Sequence, residues 1–319
     1  MKMEKFVVVL VALVGLQLQL CAQVEVPRDT SYTLHSALTS KLKNYPDLEI
    51  EPVYSNPSDQ IKIKKAISYR IIGERELLAN IFYPKKKNKK KHPAILLIHG
   101  GGWRTGDKSL MTPIAEKLAE AGFFVMAPEY RLSLEAPFPA AVEDLYESLQ
   151  WIFNHEKNYL INTKKVIIAG CSAGGQLAAL VGTTYNQSGL FQILDDEKSK
   201  QHISAIIDID GVLAFKHPDS KEGDMAAQWL GGTYEEKPEI WKKASALNHV
   251  DKSTPPTLFI SSKYPRFLAG REDYINKLDK FGIYSETHFF DEAPHSFWLF
   301  KPWFEPTIDY ILTFLDKVL

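Results

Sequence analysis

The sequence predicts an α/β protein with a mostly parallel, doubly wound sheet that is covered by helices on both faces. Three observations support this fold class. Short apolar runs typical of buried strands alternate with amphipathic helical segments from residue 94 onward. The chain has 319 residues, of which 45% are hydrophobic, so it is long enough to bury a large core. A glycine-flanked serine, Ser172, stands between one apolar strand and one helix.

The predicted elements follow the chain from a hairpin to a closing helix. Residues 61–67 alternate apolar with polar side chains, and a second strand is predicted at 77–83 after turn residues 73–76, so the two strands are expected to form an antiparallel hairpin. Further strands are predicted at 94–99, 123–127, 166–170, 205–210, 257–261 and 284–290. Helices are predicted at 110–121, 140–154, 176–181 and 308–318. Residues 212–251 interrupt the alternation, and an insertion there is expected to form a lid or a substrate wall above the strand ends.

The first 23 residues predict a secretory signal peptide, since a short basic start precedes a continuous apolar stretch at residues 6–20. Cleavage near Ala22 or Gln23 would leave a secreted or periplasmic protein without a membrane attachment. A retained anchor is an alternative, although the apolar run is short for a bilayer. A lipid-modified Cys21 is another, although Leu20 stands where a small residue is wanted. Residues 24–60 are interpreted as an extended leader with one short helix at 36–43, before the main domain at 61–319.

Charge and cysteine content limit the partners of the chain. The formal net charge of −1 gives no reason to expect nucleic acid. A dense basic run at residues 85–91 is interpreted as a solvated loop, with binding of an acidic polymer as the alternative. Once Cys21 is removed, Cys171 has no partner for a disulfide, and it is predicted to be a small buried packing residue.

The run Gly170-Cys171-Ser172-Ala173-Gly174-Gly175 predicts a nucleophile elbow, because it joins an apolar strand to a helix through small residues. The amide of Ala173 would point to where an oxyanion forms. A second glycine-rich run, His99-Gly100-Gly101-Gly102-Trp103, follows another buried strand. Gly101 and Gly102, together with Ala173, are therefore the candidate oxyanion-hole residues.

Several spaced motifs occur together in a characteristic order: HGGGW at 99–103, EYRL at 129–132, FPAAVEDL at 138–145, GCSAGG at 170–175, and a late histidine. This order resembles the α/β-hydrolase esterases, and within them the hormone-sensitive-lipase-like and the feruloyl- or acetyl-esterase-like carbohydrate esterase branches. The resemblance extends from about residue 77 to the C-terminus. It implies a serine carboxylesterase that acts on an ester substrate and needs no metal or other cofactor.

A serine nucleophile needs a base, and His295 lies on the loop after the last predicted strand, where this fold carries its histidine. His288 lies inside that strand and is interpreted as a packing residue. The acid usually follows the penultimate strand closely, but residues 262–267 contain no carboxylate. Glu272 is therefore placed slightly ahead of Asp273. Asp210 and a Ser-His pair without an acid stay open as alternatives.

Arg266 and Arg271 flank the same loop and are candidates to bind a substrate carboxylate, as in an acidic polysaccharide, although surface ion pairs explain them equally well. Trp103 is a further substrate-binding candidate, as part of a sugar-stacking wall with Trp229, Trp298 and Trp303. The leading hypothesis is a secreted esterase that removes acetyl, methyl or feruloyl groups from plant polysaccharide. A small-molecule carboxylesterase or lipase, and a non-catalytic carbohydrate-binding module of the same fold, are the alternatives.

Overall fold

The computed structural model describes residues 28–319 except 30, 86–89, 186, 188–190 and 192–200. It confirms the predicted fold class. Eight strands form one mixed sheet in the order β2-β3-β5-β4-β6-β7-β8-β9, and a separate two-stranded sheet pairs β1 with β10. Strands β2, β3 and β5 pair antiparallel, whereas every pairing from β5 to β9 is parallel. The predicted signal peptide at residues 1–23 lies outside the described residues.

The strands agree closely with the apolar and alternating runs of the sequence. Their bounds are β1 Glu51–Pro52, β2 Ile61–Ile72, β3 Arg75–Pro84, β4 His92–Ile98, β5 Phe124–Pro128, β6 Ile161–Cys171, β7 Ala205–Ile209, β8 Thr257–Ser261, β9 Ser285–Phe289 and β10 Phe300–Lys301. The helices are α1 Leu34–Asn44, α2 Thr112–Glu120, α3 Ala140–Asn154, α4 Glu156–Tyr159, α5 Ala173–Thr184, α6 Asp224–Leu230, α7 Pro238–Ala244, α8 Arg271–Lys280 and α9 Phe304–Val318.

The core has two halves, one on each face of the sheet, because successive side chains of a strand point to opposite faces. In β4, Ala94, Leu96 and Ile98 pack with α3 and α5 on one face. Ile95 and Leu97 pack with α2 and α9 on the other. Both sets are fully buried, which explains why the central strands read as continuous apolar runs rather than as alternating ones.

The N-terminal strap, residues 28–53, differs from the predicted extended leader. Its helix α1 includes the predicted helical residues 36–43 and buries Ala37 and Leu38 against the core. Its strand β1 pairs with β10 near the C-terminal end of the chain. The strap is therefore packed onto the catalytic domain, and the expected boundary at residue 61 lies inside the folded unit. The polar composition of this segment did not predict that it packs onto the domain, because this packing depends on contacts between residues far apart in sequence.

The insertion at residues 212–251 carries α6 and α7. Trp229 and Trp241 bury their rings there beside Phe215. Since residues 220–226 line the cavity above the sheet, the insertion forms a wall of that cavity, in agreement with its predicted position.

Two further sequence predictions concern Cys171 and the basic run at residues 85–91. Cys171 is fully buried and its thiol is free, as expected for a packing residue, and burial raises the pKa of this thiol well above its usual value. The middle of the basic run, residues 86–89, lies outside the described residues, while Lys91 at its end pairs with Glu156. Across the described ranges, the helices are all too short or too polar to cross a membrane.

Candidate active site

Ser172 occupies the sharp turn between β6 and α5. Its backbone has φ 57° and ψ −124°, a strained conformation for a residue with a side chain. The neighbours must be glycine because space is absent: a Cβ on Gly170 would lie 2.0 Å from the Gly174 carbonyl oxygen, and one on Gly174 would lie 2.2 Å from the Ile98 oxygen. The Ser172 amide donates to the Ile209 carbonyl at 2.7 Å, which fixes the turn against β7. The predicted elbow is therefore present.

His295 follows β9 on a loop and faces Ser172. The Ser172 hydroxyl lies 2.9 Å from His295 Nε2, and the opposite ring nitrogen, Nδ1, lies 2.8 Å from Asp210 Oδ2. A carboxylate only accepts, so it fixes the proton on Nδ1 and leaves Nε2 free to accept from the serine. This is the arrangement in which a histidine can act as the general base toward a serine hydroxyl.

The acid beside the histidine is Asp210, so the placement of Glu272 in that role is wrong. Glu272 is exposed in the first turn of α8, and Asp273 beside it contacts His217. Asp210 immediately follows β7, and its side chain is fully buried. The Ser262 amide donates to Asp210 Oδ1 at 2.7 Å, which leaves the second oxygen for the histidine. Because β7 and β8 are adjacent and parallel, an acid at the end of β7 reaches the same edge as one after β8.

Gly101, Gly102 and Ala173 lie at the same sheet edge as Ser172 and line the same cavity. Gly101 has φ +122° and Gly102 has φ +60°, so the loop uses conformations that favour glycine. Among the described residues, the amides of these three positions have no hydrogen-bond acceptor. Unpaired amides beside a nucleophile are suited to bind the negative oxygen of a tetrahedral intermediate.

The remaining motifs of the resemblance make structural contacts. The Tyr130 hydroxyl donates to the His99 carbonyl at 3.0 Å, and its ring stacks on the His99 ring with centroids 4.4 Å apart. Arg131 pairs with the buried carboxylate of Asp144 in α3, with Nε 2.9 Å from Oδ2. Burial lowers the pKa of His99 to about 4, so this histidine is neutral and packs as an aromatic residue.

A cavity of about 530 Å³ opens above Ser172 and has a mostly apolar lining. Trp103 and Phe215 form part of its wall, and Met225 lies directly over the glycine loop. A Cβ on Gly102 would be only 2.7 Å from the Met225 sulfur. Tyr32, from the N-terminal strap, also lines the cavity. Nothing in the local sequence around Tyr32 indicated this role, because the strap reaches the site only through tertiary packing.

The predicted substrate-binding residues are only partly brought together. Trp103 and Arg266 line the cavity, whereas Arg271 lies below it and donates from Nη1 to Ser261 Oγ at 2.8 Å. The expected fork of two arginines is therefore absent. Trp298 lines the cavity, but Trp229 is fully buried behind Trp103, with ring centroids 4.9 Å apart. The predicted sugar-stacking wall thus reduces to Trp103 and Trp298.

The two late histidines differ in their environments. His288 stacks on Tyr310 at 3.6 Å between centroids and pairs with Glu286, away from the cavity, as expected for a packing residue. His295 is stacked against Phe267 at 3.9 Å. Burial lowers the pKa of His295, the nearby carboxylate of Asp210 raises it, and the charges of Lys41 and Arg266 lower it further; the net direction is downward. A lowered pKa keeps the imidazole neutral, which is the form that accepts a proton.

The fold and the site together define an α/β-hydrolase serine esterase, with a serine, a histidine and an aspartate aligned beside free backbone amides. The BD-FAE family model matches residues 79–266, more than half of the chain. The protein therefore belongs to the BD-FAE family. The matched region contains the glycine loop, the elbow and Asp210, while His295 lies beyond it.

Two curated relatives that the chain resembles carry esterase names. The chain is 25% identical over 189 residues to Esterase LipC of Mycobacterium tuberculosis, a match that covers 57% of this chain and 47% of the relative. It thus spans about half the length of that protein. It is 24% identical over 307 residues to "Probable carboxylesterase 4, mitochondrial" of Arabidopsis thaliana, covering 85% of this chain and 77% of the relative.

Solved structures with the same fold include Esterase B from Lactobacillus rhamnosis, with a TM-score of 0.69, 22% identity, and coverage of 89% of this chain and 94% of that one. A structure described as a truncated form of carbohydrate esterase from gut microbiota has a TM-score of 0.65 and 22% identity, and covers 82% of this chain and 99% of that one. At these identities the likeness concerns the fold alone.

Proposed function

We propose that the protein is a secreted carbohydrate esterase that removes acetyl, methyl or feruloyl ester groups from plant polysaccharide. The observation that carries the esterase chemistry is the hydrogen-bonded series Ser172, His295 and Asp210. It lies beside three amides that have no hydrogen-bond acceptor within the part of the chain that the structure describes. Membership of the BD-FAE family and the fold shared with a carbohydrate esterase support the polysaccharide substrate. The cavity of about 530 Å³, with Trp103 in its wall, has room for an aromatic acyl group or a sugar ring.

The proposed mechanism has two half-reactions. His295 Nε2 takes the proton of the Ser172 hydroxyl as its oxygen attacks the ester carbonyl carbon, and the carbonyl oxygen becomes negative between the amides of Gly101, Gly102 and Ala173. The imidazolium then gives that proton to the departing alcohol oxygen, which leaves an acyl-enzyme. In the second half, water attacks the acyl carbon and gives one proton to His295. The imidazolium returns this proton to the Ser172 oxygen as the bond between that oxygen and the acyl carbon breaks, which releases the carboxylic acid. Asp210 stabilises the imidazolium in both halves.

The first experiment decides whether the site reacts at all. A fluorophosphonate probe should label the wild-type protein on the peptide that contains Ser172 and should not label Ser172→Ala. Ser172→Ala should also lower kcat by several orders of magnitude without changing the melting temperature. An unlabelled wild-type protein that still binds polysaccharide would support the non-catalytic binding module instead.

The second experiment decides the substrate class. Acetate or ferulate release from acetylated xylan, pectin and feruloylated arabinoxylan would be compared with hydrolysis of short aryl esters. We expect kcat/KM for at least one polysaccharide ester to exceed that for the aryl esters. The mostly apolar lining of the cavity favours one alternative, a small-molecule carboxylesterase. Hydrolysis of aryl esters alone would support that alternative.

Secretion is part of the proposal and rests on the N-terminal sequence. Mass spectrometry of the mature protein should give a chain that begins close to Ala22 or Gln23, with Cys171 as its only thiol. A lipid-modified Cys21 would show instead that the protein is tethered to a membrane.

A further inference from the structure

The cavity above Ser172 has two sides, and each belongs to a different half of the core. The loop that carries His295 supplies Trp298, which belongs to the half with α2 and α9. The insertion supplies Phe215 and Ala226, which belong to the half with α3 and α5. The sheet separates the two halves, and Ser172 stands at the end of one of its central strands. The cavity therefore extends across the sheet edge to both sides of the nucleophile.

The mechanism determines which part of the ester meets each side. His295 must give its proton to the departing alcohol oxygen, so the alcohol part begins on the side of Trp298. The carbonyl oxygen lies at the amides of the glycine loop. The acyl part is then left with the side that the insertion forms. We call this the acyl side, and its lining is apolar: Val212, Ala214, Phe215 and Ala226.

Met225 lies where the acyl side meets the glycine loop. It is in the first turn of α6 and lines the cavity. A Cβ on Gly102 would be 2.7 Å from its sulfur and 3.2 Å from its terminal methyl carbon, so the thioether contacts the backbone of an oxyanion-hole residue. The Met225 side chain is 43% exposed, whereas Ala226, Trp229 and Leu230 in the same helix are buried. Met225 therefore faces both the cavity and the solvent, and an acyl chain meets it within a few bonds of the reacting carbonyl.

The residues just before Met225 form a polar rim. Lys221, Glu222 and Asp224 also line the cavity, and Lys221 and Asp224 are exposed. Glu222 Oε1 accepts from the Ser220 hydroxyl at 2.6 Å, which holds this carboxylate within the rim. A methylene group that extends past Met225 leaves the apolar lining and gains little from burial beside these charges. The favourable length of an acyl chain therefore ends at Met225.

We propose that Met225 determines the acyl specificity of the enzyme by closing the acyl side to long acyl groups. Acetyl and butyryl groups fit beneath the thioether, whereas a hexanoyl group must displace it. Because a methionine side chain is flexible, displacement has a cost but is not forbidden, and the selectivity is graded. This inference rests on the proposed esterase function and specifies its acyl group, since it favours acetyl over feruloyl esters.

The test uses 4-nitrophenyl acetate and 4-nitrophenyl hexanoate, which share one alcohol and differ only in acyl length, with the full-length mature protein. Wild type should have the lower kcat/KM for the hexanoate. Met225→Ala should raise the ratio of hexanoate to acetate kcat/KM about tenfold, the size expected when about two further methylene groups leave water. Met225→Leu, which conserves the volume, should keep the wild-type ratio. Leu42→Ala is the matched control, because it truncates an apolar side chain that is 39% exposed and does not line the cavity.

A second pair of esters separates the two sides of the cavity. 4-Nitrophenyl acetate and 1-naphthyl acetate share the acyl group and differ in the alcohol, so Met225→Ala should not change their ratio of kcat/KM. A change in this ratio as large as that for the hexanoate would place Met225 beside the alcohol part and overturn the proposal. A hexanoate-to-acetate ratio that is unchanged or lowered in Met225→Ala would also overturn it, while leaving the esterase function intact.

Binding of two uncharged amides, hexanamide and acetamide, provides a readout that does not need turnover. If wild type hydrolyses neither the acetate nor the hexanoate, the esterase proposal fails by itself. The closure by Met225 then stands if Met225→Ala strengthens binding of hexanamide alone. It falls if binding of both amides is unchanged or changes equally.

Discussion

Replacing Asp210 by asparagine tests the geometry of the site most directly. Asp210 Oδ1 accepts from the Ser262 amide at 2.7 Å, and Oδ2 accepts from His295 Nδ1 at 2.8 Å. An asparagine must put its carbonyl oxygen toward the Ser262 amide, because that amide only donates. Its NH2 group then faces His295 and donates to Nδ1. The imidazole proton is thereby moved to Nε2, which can no longer accept from Ser172.

The expected loss follows from this wrong tautomer together with the lost carboxylate charge. Such a change lowers kcat by about 10⁴-fold in a serine triad. At 1.36 kcal/mol for each tenfold change, this corresponds to about 5.5 kcal/mol of transition-state stabilisation. The fold should survive, since the Ser262 amide keeps an acceptor and the side-chain volume is almost unchanged. Glu272→Gln is the matched control, and because Glu272 is exposed, we expect its activity to stay close to that of wild type.

The assay is kcat on a short aryl ester for wild type, Asp210→Asn and Glu272→Gln, with thermal unfolding as the control for folding. A large loss for Glu272→Gln and a small one for Asp210→Asn would refute the assignment of the acid. If neither variant loses more than about tenfold, the enzyme works as a Ser-His pair, and Asp210 only positions the loop after β8.

Four further predictions concern the histidines, Lys41 and the glycine loop. His295→Ala should lose as much activity as Ser172→Ala, because the two residues act as a unit. His288→Ala removes a ring that stacks on Tyr310 and should lower only the melting temperature. The reverse ranking would contradict the assignment of His295 as the base. The acid limb of the pH profile of kcat/KM should lie below the usual histidine pKa of 6.5, because burial of His295 disfavours its protonated form. Lys41→Gln should move the acid limb of the pH profile to higher pH, because it removes a positive charge that opposes protonation of His295. An unchanged acid limb would show that Lys41 does not influence His295. Gly102→Ala should lower kcat about 10²- to 10³-fold, because φ +60° strains alanine and its Cβ would lie 2.7 Å from the Met225 sulfur, so the amide at position 102 is displaced. Kinetics close to wild type would argue against this amide as an oxyanion donor.

The sequence alone was sufficient for the features that depend on short-range constraints. Ser172 was recognisable because a sharp strand-to-helix turn admits only small neighbours, and Gly170 and Gly174 stand within two residues of it. The buried strands were recognisable because parallel strands covered on both faces are apolar at every position, as in Ile95, Leu96 and Leu97. His295 was recognisable from its place after the last strand, which the order of elements determines.

Only the tertiary structure decided which acid meets His295 and what surrounds the mouth of the cavity. Several carboxylates lay on permitted connections, and their distances to His295 depend on how β7 and β8 lie side by side and how the Ser262 amide orients Asp210. Tyr32 lines the cavity because the N-terminal strap packs onto the domain, where the Tyr45 hydroxyl lies 2.9 Å from that of Tyr264, 219 residues further along the chain. Local patterns constrain neighbours in sequence, whereas a site assembled from distant segments is determined by the packing that brings them together.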